Sequence, residues 1–328
     1  MKILFIGTEK YDYLQDLTYS GLVKILGVKR VIESNWNKNY HINLKTYPKN
    51  IGYTPSSLIP SILNRSIDKP DFLFVASNRP DCIKSYLEIL PKIPPTTKTI
   101  FIDGGDRSEI GGDIVRLTGN EQLRKDFLET RPFDFVFKRE YIKGKDYPAN
   151  VNPLPISFNF NKLPANISLK KKYDVAFWAV ASHEIREKVF DLLESEFDFS
   201  ENGSGRGQVM KKYKRKGNFY FRELAATKIS LNFRGGGWDT LRYWEVPAVG
   251  ACMLSQKLDM IIPNDFVPNK HILNCEDDLS DLEEVCEFYL KNDSKREKIA
   301  KSGGLHAKKY HSDIARANYI LDIIGCSA

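Results

Sequence analysis

The sequence predicts an α/β protein built as two Rossmann-like domains that face each other across a cleft. Three observations predict it. The chain has 328 residues, long for one hydrophobic core and comfortable for two. Both halves alternate short apolar runs with amphipathic segments, the pattern of parallel strands and their covering helices. Between the halves, residues 143–170 are rich in Pro, Asn and Lys and read as a linker. The expected domains are residues 1–165 and 166–328, with the last helix free to cross back to the first.

The elements follow in order. Residues 2–7, KILFIG, make a short apolar strand closed by glycine, and residues 14–26 an apolar-periodic helix stopped by Gly27. Residues 28–33 form a second strand. Residues 36–60 have weak periodicity and read as loop, with a short helix near 57–63. FLFVA at 72–76 is a buried strand, 81–90 a helix, and the prolines at 91, 94 and 95 turn the chain into a strand at 99–102. DFVFK at 134–138 is the next strand. After the linker, residues 173–180 restart the strand pattern and 183–194 form a helix. A polar stretch, 200–217, precedes a helix at 219–226. Then come strand 229–233, a helix from about 241, and strand 251–255. Ile261 and Ile262 lie in a further apolar run. Helices over 279–290 and 294–302, the latter stopped by Gly303-Gly304, and a last helix over 313–324 complete the pattern.

Composition narrows the classes. Hydrophobic residues make up 42% and charged residues 28%, ordinary globular values that argue against disorder. A net charge of +7 fits phosphorylated or acidic ligands and also a plain soluble surface. Five cysteines, an odd count with no CxxC spacing, fit a reduced, intracellular protein and neither a disulfide frame nor a zinc site. The five histidines include no HExxH. The first residues lack the apolar core of a signal peptide, and no run is long enough to span a membrane. The expected location is cytoplasmic, with peripheral membrane contact left open.

Residues 229–255, ISLNFRGGGWDTLRYWEVPAVGACMLS, concentrate the chemistry. A strand feeds three glycines, Gly235 to Gly237, and then a helix start with Asp239 or Thr240 as N-cap. Backbone N–H groups and the helix dipole at such a junction favour an anion. Arg242 offers a bidentate fork for a phosphate. Glu245, three residues on, offers a carboxylate for two ribose hydroxyls, although an Arg–Glu surface pair has the same spacing. Trp238 and Tyr243 flank the loop and suit stacking on a base or sugar, or burial between domains. Pro247 deletes one backbone bond and predicts a kink or early end.

This stretch resembles the C-terminal signature of the CgeB-like glycosyltransferases, part of the GT-B group. That pattern has a strand ending near Asn and Arg, here Asn232 and Arg234. A polar loop follows, then Arg-x-x-Glu, here Arg242 and Glu245, and then Gly250. KNDSKREKIAKSGGLHAKKYHSDIAR resembles the family's closing pattern, with His311 and Arg316. FKRE at 137–140, PLPISF at 153–158 and YDVAFWA at 173–179 resemble its interdomain segment and the first strand of its second domain. The likeness covers roughly the last 190 residues; exostosin-type domains share it more weakly. It implies a GT-B-like fold and transfer of a sugar from a nucleotide-sugar, UDP- or GDP-linked, to an acceptor hydroxyl by a hexosyl- or related transferase. The donor site would comprise Asn232, Arg234, Gly236, Gly237, Trp238, Asp239, Thr240, Arg242 and Glu245. Related retaining enzymes carry an E-x7-E pattern. Here its first position is Gly237, so the stereochemical outcome stays open.

No Asp-x-Asp motif is present, so no metal or other cofactor is expected; basic side chains and a helix N-terminus would neutralise the diphosphate. An acceptor base would come from the first domain. Asp16, Asp103, Asp106 and Glu109 are the candidates, and Asp103 and Asp106 are preferred because they end a strand facing the cleft. A plain turn accounts for Asp103-Gly-Gly-Asp106 equally well. The basic run 211–216, KKYKRK, suits an acidic partner or a solvated loop. It admits a DNA-modifying glycosyltransferase as a rival. A non-catalytic nucleotide-sugar-binding protein is a second rival. The acceptor itself, whether glycan, lipid-linked, protein or nucleic acid, is not legible.

Overall fold

The computed structural model describes all residues except 11, 45, 56, 64–68, 168–169, 198, 200–216 and 327–328. The first half comprises β1 (Ile3–Ile6), α1 (Tyr13–Leu26), β2 (Val31–Glu33), α2 (Lys38–His41), α3 (Leu58–Leu63), β3 (Phe72–Val75), α4 (Pro80–Ile89), β4 (Lys98–Asp103), α5 (Gly112–Thr118), α6 (Glu121–Glu129), β5 (Phe135–Lys138) and β6 (Val151–Pro153). The second half comprises β7 (Tyr173–Ala176), α7 (Glu184–Leu193), α8 (Gly217–Ala225), β8 (Thr227–Asn232), α9 (Leu241–Ala248), β9 (Cys252–Ser255), β10 (Leu273–Asn274), α10 (Leu282–Lys291), α11 (Asp293–Tyr310) and α12 (Asp313–Ile323).

Two parallel sheets result, in the orders β2-β1-β3-β4-β5-β6 and β10-β9-β8-β7. The central strands are apolar on both faces, as FLFV of β3 shows, because helices cover each side. α1 starts where the Asp12 side chain accepts from the Gln15 amide and stops at Gly27, whose φ is 81°.

Several expectations meet a different outcome. The stretch read as linker contains β6, which adds an edge strand to the first sheet; its Pro153 sits at the strand end, where a missing N–H costs little. α11 does not stop at Gly303-Gly304 but runs through both. A side chain on Gly303 would collide with the carbonyl oxygen of His271, so the glycine serves close packing. Ile261 and Ile262 form no strand; the neighbouring Met260 makes a single bridge with Ile142. At Pro247 the expectation holds: α9 ends early, at Ala248, and Gly250 at φ 76° closes the turn.

A core of Leu17, Tyr47, Ile51, Ile156, Phe158, Trp178, Phe221 and Trp244 joins the two halves. α12 lies on the first half. Ile320, Leu321 and Ile324 share a core with Ile3, Phe5, Phe74 and Phe137. Gly21 of α1 lets it approach: a Cβ there would collide with the Asp313 carbonyl. Lys24 Nζ meets Asp313 Oδ2 at 2.5 Å, and Ser20 Oγ donates to the same oxygen at 2.7 Å. No helix among the described residues is long and apolar enough to cross a membrane.

Candidate functional site

The carboxyl end of β8 and the loop after it form one wall. Asn232 closes the loop: its Nδ2 donates to Ser255 Oγ at 3.0 Å, and its Oδ1 accepts from Thr240 Oγ1 at 2.6 Å. Thr240 is therefore spent on the strand and does not cap α9, whose first turn has no side-chain cap. The Arg234 guanidinium lies over the Trp238 ring, 4.1 Å from its centroid. Its backbone N–H is held by Gln256 Oε1 at 2.9 Å. Gly235 lets Arg186 come close: a Cβ would sit 3.0 Å from Arg186 Nη2.

Arg186 is 3% exposed and donates to the carbonyls of Phe233 and Val180. Burial, and then the nearby Arg242, lower its pKa to about 9. Arg242 Nη1 donates to the Trp178 carbonyl at 2.9 Å. The Nε atoms of Arg234 and Arg242 are buried without partners among the described residues. None of these three arginines makes an ion pair among the described residues. The three arginines thus concentrate positive charge beside the loop with no carboxylate paired to their guanidinium groups among the described residues.

The opposite wall comes from the ends of β4 and β5. Glu140 is 1% exposed and reaches across, accepting from the Trp238 amide at 3.0 Å and the Asp239 amide at 3.1 Å. Its carboxylate fills the space where a Cβ on Gly237 would be. Arg139 pairs with Glu140 and with Asp106. Burial opposes the Arg139 charge, but Glu140, Asp106 and Asp239 hold its pKa above the ordinary value. Between the walls is a cavity of about 500 Å³ lined by Asp106, Arg116, Glu140, Arg234, Gly236 and Trp238, among others.

Of the residues singled out in the sequence, Asp106, Glu109, Arg234, Gly236 and Trp238 meet at this cavity. Gly237 lies beneath it against Glu140. Asp103, Asp239 and Glu245 take internal roles instead. Asp103 is fully buried, facing Lys138 Nζ at 3.2 Å and accepting from Asn78 Nδ2 at 2.7 Å and the Gly111 amide at 2.8 Å; it cannot reach an acceptor hydroxyl. Asp239 binds the Ile156 amide at 2.6 Å and Trp244 Nε1 at 2.7 Å, with its pKa raised to about 7 by burial, so both its oxygens hold the linker to α9. Glu245 is 2% exposed and accepts from Tyr220 and Tyr47, so phenols fill the positions assigned to ribose hydroxyls. Burial raises its pKa as well. Asp16 lies inside the first half, and Glu109 pairs with Lys145 at the exposed edge of the cavity. The run 211–216 lies outside the described residues.

Arg139, Glu140 and Arg186 were not among the residues singled out. The first two follow β5 directly, so the rule that ligands gather at parallel strand ends was the available signal. No group of His, Cys, Asp or Glu among the described residues is placed to hold a metal ion.

Residues 183–322 match a family model described as glycosyl transferase-like. No curated protein matches the chain by sequence. Among solved structures, an alpha-glucosyltransferase in complex with UDP and a 13-mer DNA is similar over 98% of both chains, with 9% identity and a TM-score of 0.64. HepE from Anabaena, in complex with UDP-glucose, is similar over 99% of both chains (10% identity, TM-score 0.56). Sucrose-phosphate synthase from Thermosynechococcus elongatus is similar over 99% of this chain and 98% of that one (10% identity, TM-score 0.57). The chain therefore has the GT-B fold of two Rossmann-like domains, with a glycosyl transferase-like segment through most of its second half.

Proposed function

We propose that this protein transfers a sugar from a UDP- or GDP-linked donor to an acceptor hydroxyl without a metal, in the manner of the CgeB-like enzymes. One observation carries the reading: Arg186 and Arg234 lie at a glycine loop, Arg242 lies beside Arg186 on the uncapped first turn of α9, and no carboxylate among the described residues is paired to any of them. A nucleoside diphosphate is the anion that such a site fits. The UDP and UDP-glucose bound by the similar structures support the same donor class.

As the acceptor oxygen bonds to the anomeric carbon, the bond from that carbon to the diphosphate breaks. The arginines stabilise the charge that the leaving diphosphate gains. Asp106, 40% exposed and against Gly236, takes the acceptor proton. Asp103 has no part in this step. Arg139 holds the Asp106 carboxylate in place.

The test is calorimetry and turnover with UDP-, GDP-, ADP- and dTDP-sugars, with and without EDTA. Donor binding and metal-independent turnover are expected. Arg242→Ala and Arg234→Ala should each weaken nucleotide binding by at least ~10-fold, the loss of a charge-assisted contact. Unchanged affinity in both variants would sink the assignment. Tight binding with no turnover would favour a non-catalytic binding protein. The DNA-bound alpha-glucosyltransferase among the similar folds keeps a DNA-modifying enzyme as the second reading. Salt-sensitive DNA binding, lost on neutralising Lys211 to Lys216, would support it.

A further inference from the structure

β1, β3 and β4 end at the same edge of the first sheet. The loops that follow enclose a notch of about 180 Å³ lined by Asp12, Asn78, Arg79, Asp106, Asp113 and Arg116 among its residues. Asp106 and Arg116 also line the larger cavity, so the notch opens onto the transfer site.

The notch holds hydrogen-bond acceptors that lack donors. Asn78 is 4% exposed, and its Nδ2 donates to Asp103 Oδ1 at 2.7 Å, which fixes the amide orientation. Its Oδ1 is buried with no donor among the described residues. Asp12 accepts from Ser77 Oγ at 2.8 Å and from the Gln15 amide at 3.3 Å, and makes no ion pair among the described residues. A carboxylate has room for about two more donors. Gly104 leaves its space: a Cβ there would stand 3.1 Å from Asp12 Oδ1. Burial raises the Asp12 pKa above its ordinary value.

The other carboxylates here are occupied. Asp113 holds Arg116 through two bonds of 2.9 Å, and Asp106 is tied to Arg139. Arg116 and Arg139 also line the notch and are spent on Asp113 and Asp106, so the notch carries no net positive charge to hold an anion: Asp12 offsets Arg79. A ring bearing adjacent hydroxyls would supply the donors that Asp12 and Asn78 lack, and Arg79 would supply donors in return.

We propose that this notch is the acceptor subsite and takes an uncharged sugar ring, with Asp12 and Asn78 Oδ1 each accepting from a ring hydroxyl. The proposal rests on the transfer reading above and names its acceptor class. The experiment is saturation-transfer NMR of glucose, N-acetylglucosamine and glucose 6-phosphate with the whole protein, with and without UDP. The neutral sugars should bind, and bind more tightly than the phosphate. Asp12→Asn keeps the helix cap and the size of the side chain; Asn78→Ala removes the other acceptor. Each should weaken neutral-sugar binding by at least ~10-fold, with thermal melts as the check on folding.

Absent neutral-sugar binding, tighter binding of the phosphorylated sugar, displacement of the sugar by duplex DNA, or unchanged binding in both well-folded variants would overturn the proposal. Failure of UDP to bind the unaltered protein would instead count against the transfer reading. The sugar measurements without UDP still decide the notch.

Discussion

Asp16 lies wholly inside the first half. One of its oxygens accepts from Tyr40 and Gln15, and the other has no partner among the described residues. Burial, then the charge of Asp12, raise its pKa from 3.8 to about 8. The folded protein therefore binds a proton at Asp16 that the unfolded chain releases near pH 4. The associated stability is complete below that pH and is lost as pH rises through 8. Asp16→Asn should remove this dependence. Urea unfolding at pH 5 to 9 should show the unaltered protein losing up to about 1.4 kcal/mol per pH unit relative to the variant until near pH 8. Parallel profiles would show that Asp16 does not titrate in this way. Glu245 makes a second test at this scale. Glu245→Ala should cost roughly 2–4 kcal/mol in unfolding experiments, because two buried phenol hydroxyls lose their acceptor. A ribose-binding role alone would lower nucleoside affinity and leave stability unchanged. That Arg234 and Gly236 would lie at one cavity was legible, because a strand end feeding a glycine loop brings them together. Glu245 was misread because its partner Tyr47 lies 198 residues away in sequence.

Among the elements, the glycine loop and the end of β5 act as one piece. Gly237 has no side chain because Glu140 occupies that space. Gly237→Ala should destabilise the protein by about 1–3 kcal/mol through overpacking. Glu140→Ala should relieve part of that cost, and a double-mutant cycle would show coupling between the two sites. Additive effects would mean that the contact does not form. Legibility at this scale followed burial. β3 and β4 announced themselves because strands covered on both faces are continuous apolar runs. α5 and α6 went unread; α6, EQLRKDFLE, has only three apolar residues, Leu123, Phe127 and Leu128, although they share one face against the core. β6 was hidden by Pro153 and by having three residues. In α11, Gly303 and Gly304 resembled a stop because only the packed structure shows what lies against them.

In the whole molecule, the two-domain α/β architecture was legible from alternation and length, whereas the contacts across the cleft were not. The shared core and the placement of α12 bind the halves together. Gly21→Val should disrupt the seat of α12 on α1 and lower stability by roughly 1–3 kcal/mol, read as a lower melting temperature. If α12 were dispensable to the first half, the variant would melt like the unaltered protein.

The position of α12 also has a consequence for synthesis. The first sheet has all its strands once residue 153 is made, yet part of its core, Ile320 and Leu321, is about 170 residues further on. At ordinary translation rates that interval is roughly 10–30 s. Throughout it the nascent first domain presents an open apolar groove beside α1. A chaperone that shields such surface would therefore be expected to act on this chain while it is still on the ribosome. Arrest of translation before residue 313 should leave a protease-sensitive first domain.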